Sequence, residues 1–510
     1  RCVTRSDTTS DFPRRTSSAS DSRSPLSSAP RYNLGMLAEE LRAIVGDEAC
    51  LTRDEQLLVY ECDGLTLDPS RPGAVVLPAC RDEVVAVVKA CRIAGVSFVP
   101  RGAGTGLSGG ATARDGGVVI ECSRLDRIRA VDTENRTAVV EPGVVNLDLT
   151  RAVEHLGLYY APDPSSQLVC TLGGNIAENS GGPHTLKHGT TTNHVLALEL
   201  VLPDGEVVQL GSPTGVAHGY DLVGAVVGSE GTLGIVTAAT VQLTPAPESV
   251  ETLLAIFPDV VSSCRAVGSI VESGLLPAAL EVVDQRTIAA VEDSVYAAGL
   301  PRDAGAVLIV ELDGPACALD AQVERVRDLA GRAGATRVEL ATDEAERQRF
   351  WRARKGAFGA MGRLAPDLYV HDAVVPRARL PEVLERVCSI GDRYGLKLAN
   401  VFHAGDGNLH PNICFDRRNQ DELERVMAAG EEILRVCVDA GGVITGEHGI
   451  GSEKREFIGL VFGEADLDPM KRLRAAFNPD GVCNPGKMFP TTRFCTEANP
   501  KARGYERVPL

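Results

Sequence analysis

Two short stretches concentrate side chains that bind metals or move protons. VFHAGDGNLHPNI, residues 401–413, holds His403, Asp406, Asn408 and His410 between glycines, and GEHGIG, residues 446–451, holds Glu447 and His448. His403 and His410 are seven residues apart, a spacing that would share one helix face, but Gly405 and Gly407 disfavour a helix there. On one straight strand the odd spacing puts them on opposite faces, so they converge only across a turn, and GDGN has turn chemistry. Two imidazoles and a carboxylate suit a borderline divalent ion such as zinc, with one coordination position left for a substrate. Glu447 is the expected third ligand beside His403 and His410, which puts His448 close to the ion without ligating it. A lone histidine is more commonly a hydrogen-bonded structural residue, so the grouping carries the metal reading. His155, His184, His218 and His371 lack such company and are read as structural.

The chain that must position this cluster has 510 residues, 44% of them hydrophobic, enough for two or three packed domains. A formal charge of −17, with no basic cluster outside the first thirty positions, argues against nucleic acid or an anionic membrane surface as the main partner. Fourteen cysteines are scattered without a CxxC pair, so neither a zinc ribbon nor an iron–sulfur cluster is expected within the chain. No apolar run approaches the ~18 residues of a bilayer span. A cytoplasmic protein is expected, with peripheral attachment to the inner face of the membrane as the variant.

Residues 1–32 are rich in Ser, Arg and Pro without apolar periodicity, and are expected to be a disordered leader. Three aspartates and the lack of an amphipathic helix speak against a mitochondrial transit peptide. Met36 stands just before the helix-like LAEELRAIVG, which suggests a leader foreign to the natural protein. From about 70 to 245, β-rich runs such as GAVVLP, VSFVP, GGVVIEC, TAVVEPG and GIVTAATVQL alternate with helix-like pieces and glycine loops. After LTPAPES the order becomes strand-like ETLLAIF, helix-like DVVSSCRAVGSIVESG, strand-like AVLIVEL and helix-like ALDAQVERVRDLAGRAG. That β-α-β-α order suits a second domain with an antiparallel sheet and helices on one face.

PRGAGTGLSGG, residues 100–110, contains GxGxxG, but ATARDGGVVIEC follows it with another strand where a dinucleotide-binding βαβ unit needs a helix. The spacing instead predicts strand–loop–strand, with backbone N–H groups free to approach a phosphate. Two more glycine loops, one around GGNIAENSGG and one at GSEGTLG, point to a large ligand.

The order PRGxGTxxxG, DPSS, T-x-GGNIAENSGG, K-x-G, H-V, GSEGTLGI, HxGDGNLH, GEHGIG and NPGK resembles flavoproteins of the vanillyl-alcohol-oxidase (PCMH) type over residues 40–490. Within them it resembles the D-2-hydroxyacid dehydrogenase branch, with D-lactate dehydrogenases and the flavin subunit of glycolate oxidase. The resemblance implies an α+β fold: an FAD-binding domain of two subdomains over 33–245 and a substrate or cap domain over 246–445, an antiparallel sheet covered by helices. A C-terminal segment, 446–490, returns to the FAD domain and completes the site, and 491–510 form a tail. It implies noncovalent FAD, with the pyrophosphate against Arg101, Gly102, Ala103, Gly104, Thr105, Gly106 and Leu107. The flavin is then expected against Pro162, Ser166, Thr171, Gly174, Asn175, Gly182 and His194, the adenine side against Glu230, Gly231 and Ile235, and Asn484 joins the cofactor-binding set.

In such enzymes a 2-hydroxy acid loses its hydroxyl proton and passes a hydride to flavin N5, and a metal on the hydroxyl lowers its pKa. His448 is the expected base. The resemblance assigns the substrate carboxylate to Arg354, whose guanidinium can make two parallel hydrogen bonds, and Asn412 is a further substrate contact. Where branches acting on dicarboxylates carry polar residues, this chain has Phe358 and Val370, which favours glycolate, D-lactate or another monocarboxylate. The expected electron acceptor is a quinone, a cytochrome, a flavin or iron–sulfur partner subunit, or oxygen, in a homodimer or a hetero-complex. The alternatives are a D-2-hydroxyglutarate-type dehydrogenase, a non-redox FAD transferase resembling ether-lipid synthases, which lack the HxGDGNLH and GEHG pair, and a metal hydrolase with structural glycine loops.

Overall fold

A computed structural model describes residues 34–216 and 219–490; the expected leader and tail, and His218, lie outside the described residues. The β-rich runs of the N-terminal part form two sheets. In the first, Ala74–Val76, Val118–Glu121 and Phe98–Arg101 pair in parallel in that spatial order, and Cys50–Leu51 adds antiparallel at the edge. The Arg81–Ala94 helix crosses from the first of these strands to the third and buries Val84, Val87, Val88 and Cys91 on the sheet. Neighbouring parallel strands normally need a helical crossover. Here Phe98–Arg101 and Val118–Glu121 are joined by the helix-free glycine loop 102–117, as strand–loop–strand spacing predicts. The second sheet is antiparallel, in the order Ile128–Asp132, Thr137–Val140, Ile235–Gln242, Val195–Val201 and Val207–Gly211.

The C-terminal part is built on a larger sheet in which Arg337–Leu340, Ser249–Phe257, Ala306–Gly314, Ala279–Asp284 and Lys397–His403 lie side by side, all antiparallel. Alternation along each strand sorts its residues between two faces. Leu253, Ala255, Phe257, Leu280, Val282, Leu308, Val310 and Phe402 pack under the helices Val260–Glu272, Ala316–Arg332, Leu380–Tyr394 and Gln420–Asp439. Leu254, Ile256, Val283, Val307, Ile309 and Val401 face the other way, against the helices Gln285–Glu292 and Glu344–Ala360. Helices therefore cover both faces, not one, because these strands are apolar on both. On the second face four buried residues break the apolar pattern: Thr252 lies opposite Glu311, and Glu281 lies opposite His403.

The end of the chain comes back to the first sheet. Phe98 N–H donates to the Val482 carbonyl at 3.0 Å, and Asn484 N–H donates to the Phe98 carbonyl at 2.7 Å. Cys483 between them is fully buried in the N-terminal core. Among the described residues no helix is long and apolar enough to cross a membrane.

Phe402 is 0% exposed at the centre of the four-helix face, whereas Leu276 is 55% exposed. Phe402→Ala is expected to cost about 3–5 kcal/mol, seen as a lower urea midpoint by circular dichroism. Leu276→Ala should leave the midpoint nearly unchanged.

Candidate active site

The predicted turn brings the two histidines together. His403 ends its strand opposite Asn408, and Asp406 accepts the Asn408 N–H at 3.0 Å. Gly407 makes the reversal at φ 86°, where a Cβ would strike the Val375 carbonyl. The imidazoles of His403 and His410 lie 5.2 Å apart at 88°. His403 Nε2 is 3.2 Å and His410 Nε2 3.3 Å from one atom, Glu447 Oε1. Ligand atoms around a tetrahedral zinc with ~2.0–2.1 Å bonds are about 3.3–3.4 Å apart, so this donor set fits a shared divalent ion.

The neighbours of these rings fix which nitrogen faces inward. His410 Nδ1 donates to the His371 carbonyl at 3.2 Å, and His403 Nδ1 donates to Glu281 Oε1 at 2.8 Å. Both Nε2 atoms are thereby turned toward Glu447. Asp372 also lies within reach of an ion held by His410, Glu447 and His448. Its carboxylate is already occupied, however, by Thr445 Oγ1 at 2.6 Å and the N–H groups of Gly446, Glu447 and His448 at 2.9, 3.0 and 2.8 Å. Asp372 shapes the 445–448 loop.

Charge separates the roles of the histidines. Burial opposes a proton on His403, yet Glu281 and Glu447 hold its pKa well above the ordinary value. Burial likewise opposes ionisation of Glu447, but His403 and His410 hold it well below the usual carboxylate range. His448 behaves differently: burial pushes its imidazole down to about 4, so the ring is neutral at pH 7. It stacks on His410 at 4.9 Å, and its Nδ1 is buried with no hydrogen-bond partner among the described residues. Arg354, on the Glu344–Ala360 helix, donates Nε to Glu281 Oε2 at 2.6 Å. Asn412 donates Nδ2 to the carbonyls of Ala399 and His410 at 3.1 and 2.7 Å, while its buried Oδ1 has no partner among the described residues.

One cavity of ≈ 480 Å³ joins this cluster to the glycine loops. Its far end is walled by every residue from Arg101 to Leu107, and by Ser166, Thr171, Gly174, Asn175, Glu230, Gly231 and Ile235. Its near end is walled by Arg354, Phe358, Val370, Asn412, His403, His410, Glu447 and His448. The glycines are needed for this shape: a Cβ at Gly102 would strike the Thr171 hydroxyl, and Gly104 sits at φ 69°. A wall of bare backbone beside a buried cation, Arg101, fits the phosphates of a dinucleotide.

Four of the expected cofactor residues lie outside the lining and hold the loops. The Pro162 carbonyl accepts from Asn146 Nδ2 at 3.0 Å, and the same nitrogen donates to Asn175 Oδ1 at 3.0 Å. Gly182 passes so close to the Asp163 backbone that no Cβ fits. His194 Nε2 donates to the His188 carbonyl at 2.9 Å. Asn484 Nδ2 donates to the Gly110 and Glu230 carbonyls at 2.9 and 2.7 Å. Sequence reasoning passed over Glu281, Asp372, Asn146 and Glu178. Glu178 lines the cavity, and burial with Glu230 and Asp63 nearby raises its carboxyl well above the usual range. The visible signal for Glu281 was an acid inside the apolar run ALEVV.

Comparison with known proteins agrees with this arrangement. Residues 72–211 match the FAD binding domain family, and residues 246–488 match the C-terminal domain of FAD linked oxidases. The chain is 46% identical over 457 residues to the glycolate oxidase subunit GlcD of Escherichia coli (strain K12), which covers 90% of this chain and 91% of that protein. It is 32% identical over 457 residues to D-lactate dehydrogenase of Anaerostipes hadrus, covering 88% and 94% of the two chains. In fold it is similar to p-cresol methylhydroxylase with substrate bound, with a TM-score of 0.76 at 18% identity over 89% of this chain and 96% of that one. With both of its domains matched and these identities along nearly its whole length, the chain belongs to the FAD-linked oxidoreductases of the vanillyl-alcohol-oxidase type, in their D-2-hydroxyacid dehydrogenase branch.

Proposed function

We propose that the protein oxidises a small D-2-hydroxy acid, glycolate or D-lactate in kind, to the 2-oxo acid with noncovalent FAD and a divalent ion, zinc being the first candidate. The observation that carries this reading is the single cavity whose one end is bare glycine backbone and whose other end holds two imidazoles converging on Glu447 Oε1. The relatives named for glycolate oxidation and D-lactate dehydrogenation support the substrate class. When bound, FAD supplies the hydride acceptor, and the ion supplies the Lewis acidity that lowers the hydroxyl pKa.

The chain's own groups do the rest. His403, His410 and Glu447 would hold the ion. Arg354 binds the substrate carboxylate through Nη1, since Nε is committed to Glu281. Asn412 Oδ1 accepts from the hydroxyl as it approaches, and the neutral ring of His448 takes the hydroxyl proton at Nδ1. Phe358 and Val370 give the cavity apolar wall where a second carboxylate would need a partner, which favours monocarboxylates. The relative's description as a subunit makes a partner subunit the acceptor to test first, ahead of a quinone or cytochrome.

Anaerobic glycolate or D-lactate is expected to bleach the bound flavin of the purified yellow protein. A much higher catalytic efficiency with D-2-hydroxyglutarate would overturn the monocarboxylate assignment. His448→Ala is expected to slow flavin reduction by about 10²–10⁴-fold while flavin and metal content stay normal, followed by stopped-flow absorbance and elemental analysis. His410→Ala should instead strip the metal, and chelation of the wild-type protein should abolish turnover until a divalent ion is restored.

A further inference from the structure

The sequence gives His184 no company like that of the His403–His448 cluster, but the fold brings it carboxylates from both halves of the molecule. Its backbone N–H and ring Nδ1 reach the Asp163 carboxylate at 3.3 and 2.9 Å, and its Nε2 lies 2.9 Å from Glu311 Oε1. Glu311 Oε2 in turn accepts from Trp351 Nε1 at 2.6 Å and from the Thr252 hydroxyl at 3.2 Å, with Arg347 Nη1 at 3.6 Å. The Trp351 ring stacks on His184 at 5.7 Å. Lys355 Nζ lies over the same indole and 3.6 Å from Asp163, and Lys187 pairs with Asp313 alongside.

Both ring nitrogens of His184 face carboxylates, which accept hydrogen bonds and do not donate them when ionised, so both nitrogens must carry protons. Burial opposes that charge, but Asp163 and Glu311 raise the imidazole pKa to about 10. Asp163 and His184 belong to loops of the N-terminal half that line the cavity through Pro164, Ser166 and Ser180, and the His184 loop also reaches Glu447, whose Oε2 accepts the Gly181 N–H at 3.1 Å. Glu311 lies on the sheet of the C-terminal half.

Arg347, Trp351 and Arg354 follow one another at spacings of four and three on the Glu344–Ala360 helix, so they share one face. Glu311 holds the first two, and Glu281 holds the third. The two acids lie on the same face of the sheet, because Glu311 is opposite Ala279, two residues from Glu281. The helix that presents Arg354 and Lys355 to the cavity is thus pinned along one side, and the first pin reaches across to the flavin-side loops through His184.

We propose that His184 is a positioning residue: bridging Asp163 and Glu311, it sets the Glu344–Ala360 helix against the 162–166 loop and so fixes how far Arg354 stands from the flavin-side wall. This inference rests on the proposed 2-hydroxy acid oxidation.

The test uses the holoenzyme, with oxalate as a non-reacting carboxylate probe read from the bound flavin's absorbance. Wild-type protein that neither bleaches with glycolate or D-lactate nor binds oxalate overturns the proposed function itself, and this inference with it. Where wild type does both, His184→Gln and Glu311→Gln are expected to keep flavin but weaken oxalate binding and raise KM by about 10–100-fold, with a smaller fall in kcat. The double variant should be no worse than the poorer single variant, since both break one bridge. Unchanged oxalate affinity and KM in flavin-replete single variants overturn the assignment, as does a loss of thermal stability with unchanged substrate parameters. If His184→Gln fails to hold flavin, Trp351→Phe, which removes one donor to Glu311 and keeps an aromatic ring, decides by the same two readings.

Discussion

A carboxylate with no exposed surface, in the middle of a sheet, is costly to bury unless its oxygens are met by donors. Glu281 is such a group: 0% exposed, with Oε1 taking His403 Nδ1–H and Oε2 taking Arg354 Nε–H. One acid therefore orients both the histidine proposed to bind a metal and the arginine proposed to bind substrate. Its place is a matter of register, because Glu281 is the residue opposite His403 on the neighbouring strand. A slip of one residue would turn it into the four-helix face, on the side of Phe402, and undo both contacts.

Four histidines show how far burial and carboxylates move one residue type. His371 has no acceptor on either ring nitrogen among the described residues, and burial takes it to about 3. His448, buried beside Asp372 and His410, is held at about 4. His403 and His184, each between two carboxylates, go the other way, His184 to about 10. The proposed clamp has a carboxylate at 2.9 Å from each ring nitrogen, whereas the proposed base has Glu447 only at 3.9 Å and His410 and Lys454 beside it.

Much of this was legible in the sequence because the chemistry is carried by short, local signals. The turn at GDGN, the glycine loops and the missing helix after GAGTGLSGG all act within a few residues, and each appears where its spacing puts it. Glu281 and Glu311 were not legible, since a single acid in a strand has a role only once its cross-strand neighbours are known, and Asp372 has its role only once the 445–448 loop, more than 70 positions on, is folded onto it. The company of His184 is of the same kind: Glu311 lies 127 positions away in the chain. The second pair of covering helices was missed because runs such as LLAIF and VLIV do not say which of their two faces is covered.

The brace at the end of the chain bears on how the protein is made. Lys487 Nζ binds the Thr112 carbonyl at 2.9 Å, and Asn484 bridges two glycine loops that precede it by more than 250 positions. A polypeptide leaving the ribosome from its amino end has every loop of the nucleotide cradle long before it has these struts. Closure of the cradle therefore waits on residues made long after its loops, and a polypeptide cut before Asn484 lacks the struts that tie those loops together.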